Sequence, residues 1–256
     1  PDSFSDGGKR ADPEAAAEAG VRMAAEGAAF IDVGGESTRP GAETVWEGDE
    51  IARVAPVIER LARAGVAISI DTRKAEVMEA ALAAGAGIIN DVSALLYDDR
   101  ALDVAVRAGC PVILMHAGDP RDLHQRTLGL DPLLQVYDWL EGRVAAVEAA
   151  GVPRAKIIVD PGIGFGKFLA DNLALLNGLA LFHGLGCPLM LGASRKRMIG
   201  ALSNEVPADQ RLGGSIALAL TGAMLGAQIL RVHDAAETLQ ALGVWRGLRD
   251  QALTRG

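Results

Sequence analysis

The chain has 256 residues, half of them apolar, and a formal net charge of −8 at pH 7, which is enough to bury one sizeable core and suits an α/β barrel running as a single domain over 1–256. The acidic balance excludes a general nucleic-acid binder, no uncharged apolar stretch reaches the roughly 18 residues a membrane span needs, and the start has no basic region leading into a hydrophobic core. With no CxxC and no His at metal-ligand spacing, Cys110 and Cys187 read as buried thiols of a cytoplasmic protein.

The first eight residues, PDSFSDGG, form a polar, glycine-ended loop. Seven strand-length apolar runs follow: AFIDV (29–33), AISID (67–71), IINDV (88–92), PVILMH (111–116), KIIVD (156–160), PLMLG (188–192) and QILRV (228–232). Between the first two lies GGESTRPGAE (34–43), a long polar loop of the kind that closes over ligands. It is followed by a helical stripe of Ile51, Val54, Ile58 and Leu61, and a second stripe comprises Leu133, Val136, Leu140, Val144 and Val147. DPGIGFGK (160–167) matches neither nucleotide-loop spacing and reads as close backbone approach to a bound ring. SIALALTGAMLGA (215–227) reads as a dimer face or a buried helix, and Asp234 with Glu237 as a capping box. Gly20, Gly65, Gly85, Gly109 and Gly151 are placed to end helices or turn the chain. Alternating strand and helix predict a parallel sheet covered by helices, as a closed barrel or an open doubly wound sheet. A (β/α)8 TIM barrel needs an eighth strand, and its place is ahead of Pro1, which would make PDSFSDGG the first strand-to-helix loop.

Every strand ends in polar residues: Asp32, Asp71, Asn90 with Asp91, His116, Asp160, Ser194-Arg195-Lys196, and Arg231 with His233. In a barrel these ends converge on one mouth. Such a ring can hold a polar heterocycle by its edges, with Asp71, Asn90 and Asp160 the best placed for it; the bland alternatives are that Asp71 caps the next helix and Asp160-Pro161 starts a turn. Arg231 and His233 share one side of a strand end ahead of a helix N-terminus, which suits an anion, although Arg231 could instead pair with a nearby acid and His233 could be a core residue. His116, His124 and His183 carry no assigned chemistry, and His183 is expected to face solvent.

PDSFSDGG, DVGGESTRPGAE, SIDT, IINDVSAL, DPGIGFGK, GASRKRMIG and RVHD, in that order, resemble the dihydropteroate synthase family over essentially the whole chain. The resemblance implies a (β/α)8 barrel, a homodimer, and condensation of 6-hydroxymethyl-7,8-dihydropterin diphosphate with 4-aminobenzoate in the presence of Mg2+, releasing diphosphate. It implies that Asp71, Asn90, Met115, Asp160 and Lys196 hold the pterin, with Asp71, Asp160 and Lys196 also catalytic. Thr38, Arg39, Arg231 and His233 would take the diphosphate. Thr38, Pro40, Gly164, Phe165, Ser194 and Lys196 would shape the aminobenzoate pocket, and Asp2, Phe4, Ser5 and Asp6 would belong to the first closing loop. No residue of this chain is assigned to the metal, since the family's Asn lies on the strand expected ahead of Pro1. The stretch AGDPRDLHQ after His116 departs from the family's usual loop. A pterin-binding methyltransferase barrel and a catalytically silent pterin-binding paralogue are the alternatives; the first has no use for the Arg231-His233 clamp, and the second would be expected to have lost Lys196 or the first loop.

Overall fold

The computed structural model describes residues 12–38, 42–118 and 131–251. Asp12 opens α1 (Pro13–Ala25) by accepting from the Ala15 N–H at 2.9 Å, with Pro13 at the first helical position. The chain then runs β1 (Ile31–Gly34), α2 (Glu47–Arg63), β2 (Ile68–Asp71), α3 (Ala75–Ala84), β3 (Ile88–Asp91), α4 (Ala101–Ala108) and β4 (Val112–Met115). It continues with α5 (Pro132–Ala149), β5 (Ile157–Asp160), α6 (Leu169–Asn177), β6 (Met190–Leu191), α7 (Arg197–Leu202), α8 (Leu212–Met224), β7 (Ile229–Leu230) and α9 (Ala235–Arg249). All seven expected strands form, each shorter than its apolar run by a residue or more, and β1 runs one residue past its expected end, to Gly34. Both expected apolar stripes are the buried faces of their helices: Val54, Ile58 and Leu61 in α2, and Val136, Leu140, Val144 and Val147 in α5.

The strands pair in parallel and in sequence order from β1 to β5. A Val159–Leu189 bridge carries the sheet to β6, which pairs with β7. Among the described residues β1 and β7 each have one strand neighbour, and the eighth strand expected ahead of Pro1 lies outside them. The fold is that of a TIM barrel with helices outside and strands within.

Side-chain alternation divides the strands between two cores. Val112, Leu114, Ile157, Val159 and Leu191 face the helices in the main core, whereas Ile113, Ile158 and Met190 meet inside the sheet, flanked by Ile88 and Ile229. The same parity turns Asp32, Asp71, Asn90, Met115, Asp160 and Arg231 inward at the carboxyl ends.

Two local expectations are corrected. Gly20 lies inside α1 rather than at its end, and its role is close packing: a Cβ there would stand 2.7 Å from a Leu61 methyl. Asp234 precedes α9 but makes no side-chain cap, because its carboxylate is taken by Arg195. Gly85 and Gly109 do end helices, in the left-handed conformation that costs glycine least.

Candidate active site

Asp32 is the hub of the mouth. Its Oδ1 accepts from Ser69 Oγ at 2.5 Å, and its Oδ2 accepts from Asn90 Nδ2 at 3.1 Å and from Arg231 Nε at 2.6 Å. Arg231 also donates from Nη2 to Asp71 Oδ2 at 2.8 Å. One guanidinium from β7 thus ties together the acids of β1 and β2, and Asp32 holds it raised above its already high pKa. Asp71 Oδ1 is buried and has no hydrogen-bond partner among the described residues. Burial pushes the Asp71 carboxyl up to about 7, the Arg231 charge opposing the rise and Asp32 adding to it.

Asp160 stands beside Met115 in the sheet register and is 4 % exposed. Burial raises its pKa against the Gly162 N–H, which it accepts at 2.8 Å, and against the Lys196 charge. Lys196, pushed down to about 8 by burial, stays largely cationic at neutral pH. Its Nζ lies 3.9 Å from the centre of the Phe165 ring, a cation–π contact. Gly164, at φ +80°, lets the backbone pass the Lys196 stem: a Cβ there would be 3.2 Å from Lys196 Cδ. Ser194 Oγ lies 2.9 Å from His233 Nδ1 and accepts from the His233 N–H at 3.3 Å, joining the β6 and β7 loops.

The loop after β5 is folded around a lysine. Lys167 Nζ donates to three carbonyls, those of His116 at 3.0 Å, Gly162 at 2.9 Å and Phe165 at 3.1 Å. From outside, Asn172 accepts from Gly164 N–H at 2.6 Å and donates to the Phe168 carbonyl at 2.8 Å. Burial pushes Lys167 down to about 7 against the pull of Asp160. His116 is held neutral, its pKa pushed down to about 3 by burial and the neighbouring Lys167 charge, and its ring stands edge-on to Trp139 at 4.9 Å.

A second charged cluster underlies the loops after β1 and β2. Lys74 Nζ donates to Glu36 Oε2 at 2.7 Å, Glu50 Oε2 at 2.6 Å and the Val45 carbonyl at 2.5 Å. Glu36 also accepts from Val45 N–H at 2.8 Å and Arg73 Nε at 2.9 Å, and Glu50 accepts from Thr72 Oγ1 at 2.7 Å. Both stems of the 36–45 loop, which carries Thr38, are therefore fixed to the start of α3.

Asp71, Asn90, Met115, Asp160, Lys196 and Arg231 gather at one end of the barrel, with Phe165, Gly164, Ser194 and His233 beside them; Thr38 is half-buried in the β1 loop. Asp2, Phe4, Ser5, Asp6, Arg39, Pro40 and His124 lie outside the described residues. Three strand-end residues do not join the ring, the first being His116, whose ring stands against Trp139 of α5. Strand parity turns Asp91 outward, where its oxygens accept from Ser93 N–H, Ser93 Oγ and Leu95 N–H. Arg195, at φ +56°, turns to Asp234. His183 is exposed as expected, with Nε2 3.0 Å from the Leu225 carbonyl. Sequence reasoning missed the linking role of Asp32, the Lys167 hub and the Lys74 cluster. Glu50 could have been found, since an acid one turn before Val54 lies on the apolar stripe of α2.

The family model described as "Pterin binding enzyme" matches residues 1–233. The dihydropteroate synthase of Escherichia coli strain K12 is 46 % identical over 246 residues, 95 % of this chain and 86 % of the relative. The structure of Xanthomonas albilineans dihydropteroate synthase with 4-aminobenzoic acid is 48 % identical, with a TM-score of 0.89 over 97 % of this chain and 89 % of that one. The Yersinia pestis dihydropteroate synthase in a sulfonamide drug complex is 44 % identical, with a TM-score of 0.92 over 98 % and 91 %.

Proposed function

The chain belongs to the pterin-binding enzyme family, its activity is that of a dihydropteroate synthase, and we propose that its strand-end residues divide the reaction between three subsites. The observation that carries this division is the arrangement of charge: acids line the mouth, and Arg231, bonded to two of them and two residues from His233, keeps donors free for an anion.

Asp71, Asn90, Asp160 and Lys196 bind the pterin edge, with Met115 in the wall. Asp71 and Asp160 offer acceptors to ring N–H groups, and Asn90 offers both a donor and an acceptor. Arg231 uses two of its five donors on Asp32 and Asp71 and keeps 43 % of its side chain exposed, so it can meet a diphosphate without leaving its acids. His233, Thr38 and Arg39 complete that subsite. Mg2+ would come with the diphosphate, whose oxygens supply its ligands; no side chain is assigned to it, and among the described residues no group of three or more His, Cys, Asp or Glu is arranged to hold a metal. Phe165, Gly164, Pro40, Ser194, Lys196 and Thr38 shape the aminobenzoate pocket.

The chemistry then needs little covalent help. Arg231 and His233 stabilise the departing diphosphate, Asp71 and Asp160 stabilise positive charge growing on the pterin as the C–O bond breaks, and the amine attacks the exposed methylene carbon. The loop after β1, with Asp2, Phe4, Ser5 and Asp6, keeps out water that would capture the same carbon. A single domain, a homodimer and a cytoplasmic location complete the proposal. Exposed Met224, Val244 and Leu248 on the last two helices support a self-association face, and the free thiols of Cys110 and Cys187 suit a reducing compartment. Among the described residues no helix is long and apolar enough to cross a membrane.

The test is diphosphate release from the dihydropterin diphosphate in Mg2+, with and without 4-aminobenzoate. Release that requires the amine and yields dihydropteroate supports the division of roles; pterin binding without turnover points to a silent paralogue, and no pterin binding overturns the pocket.

A further inference from the structure

Lys167 lies in the wall of the site, yet its three N–H donors all point into the protein. The carbonyls it receives belong to two loops: His116 follows β4, whereas Gly162 and Phe165 follow β5. An ammonium offers one donor to each of the three acceptors, and those acceptors favour its charged form against the burial that lowers its pKa. The two loops are in direct backbone contact there. A Cβ at Gly166 would fall 1.8 Å from the Gly118 carbonyl oxygen, and one at Gly162 would fall 2.0 Å from that of His116. Carbonyl dipoles crowded this closely repel one another unless a cation sits among them. The residue whose carbonyl is held, Phe165, is the one whose ring lies 3.9 Å from Lys196 Nζ, and a Cβ at the preceding Gly164 would stand 3.2 Å from Lys196 Cδ.

We infer that Lys167 is a positioning residue for the aminobenzoate end of the site, a half-buried cation that locks the β4 and β5 loops together and so fixes Phe165 against Lys196. The inference rests on the assignment of Phe165, Gly164 and Lys196 to the aminobenzoate pocket. It places Lys167 nearer the aminobenzoate side than the pterin side. Asn90 is held by Asp32 and Asp71 by Arg231, away from the β5 loop, and the pterin acid that reaches that loop is Asp160, through the Gly162 N–H. Losing Lys167 should therefore loosen the aminobenzoate site more than the pterin site, which keeps its Asp32 and Arg231 supports.

The experiment is steady-state kinetics on Lys167→Met, which preserves chain length and apolar packing while removing every donor. The KM for 4-aminobenzoate should rise about 30-fold, the scale of one lost charge-assisted hydrogen bond, while the KM for the dihydropterin diphosphate rises by less than about 5-fold. A merely structural role would lower the active fraction, and hence kcat, without splitting the two KM values. Lys167→Gln, which retains two donors, should shift the aminobenzoate KM in the same direction by less, and it carries the test if the methionine variant fails to fold. Unchanged aminobenzoate KM, or parallel rises for both substrates, overturns the inference. Amine-dependent diphosphate release by the unmodified chain is measured alongside, and its absence overturns the functional reading itself.

Discussion

Replacing Lys74 by Met should expose how strongly the loop after β1 depends on one buried cation. Lys74 and Glu36 are each 3 % exposed and Glu50 is 1 % exposed, so the charge removed is one that water cannot replace. Burial alone would raise the Glu36 pKa, but the Lys74 hydrogen bond and the Arg73 charge hold it below its ordinary value; burial alone would lower Lys74, but its two acids hold it raised. In the variant Glu36 keeps Arg73 and the Val45 N–H, whereas Glu50 keeps only the Thr72 hydroxyl among the contacts described. Stranding a buried carboxylate costs about 3–5 kcal/mol, and that is the loss expected in urea unfolding at pH 7.5 followed by far-UV circular dichroism. A group with a depressed folded pKa stabilises above its unfolded pKa and loses that contribution as pH falls, so the gap between wild type and variant should narrow below about pH 4.5. Adding Glu50→Gln to Lys74→Met should recover at least about 1 kcal/mol, because an amide tolerates burial better than an unpaired charge. A loss below about 1 kcal/mol at pH 7.5, the value of an exposed pair, would refute the reasoning.

Asp71→Asn should flatten the acid side of the stability profile: a carboxyl raised to about 7 stabilises fully below its unfolded value of 3.8 and loses that contribution as pH rises to 7, so the variant should gain on wild type by up to about 4 kcal/mol between pH 4 and 8 in thermal or urea unfolding. The same variant should bind 6-hydroxymethylpterin more weakly, as measured by calorimetry. Arg231→Met leaves Asp32 and Asp71 without their shared cation and removes the proposed diphosphate donor, and kcat/KM for the dihydropterin diphosphate should fall at least about 100-fold. Gly166→Ala would require a side chain at φ +62° and 1.8 Å from the Gly118 oxygen; it should cost about 2 kcal/mol or more of stability, visible as a lowered Tm, and should reduce aminobenzoate turnover.

The strands were legible because parallel strands covered on both faces read as short continuous apolar runs, and the polar residues that end them stand out against that background. Alternation within each run also carried information: it separates Asn90, which faces the mouth, from Asp91, which faces the helices. Listing the two together overlooked a distinction already present in IIND. The turn of Arg195 away from Lys196 depends on a left-handed backbone at a non-glycine residue, for which composition offers no signal. Asp234 and Glu237 matched a capping box, but a charged partner 39 residues away outcompeted the local cap. Gly20 was read as a helix end, and only the packing of α1 on Leu61 shows why a helix interior needs it. Lys167 was visible as the last residue of DPGIGFGK, yet its function depends on carbonyls, which every residue has and no sequence pattern marks.

The bond from Arg231 to Asp32 joins residues 199 positions apart. A chain made from its N-terminus forward displays Asp32 and Asp71 long before the cation that neutralises them exists. During that interval the growing sheet has an acidic, unpaired end that opposes its own closure and has little to offer an anionic substrate. With Arg231 as the proposed diphosphate clamp, competence to bind that group would arise only when β7 docks, and long-range closure of this kind makes folding slow relative to proteins with local contacts. Recovery of diphosphate affinity during refolding would then trail the recovery of helix signal.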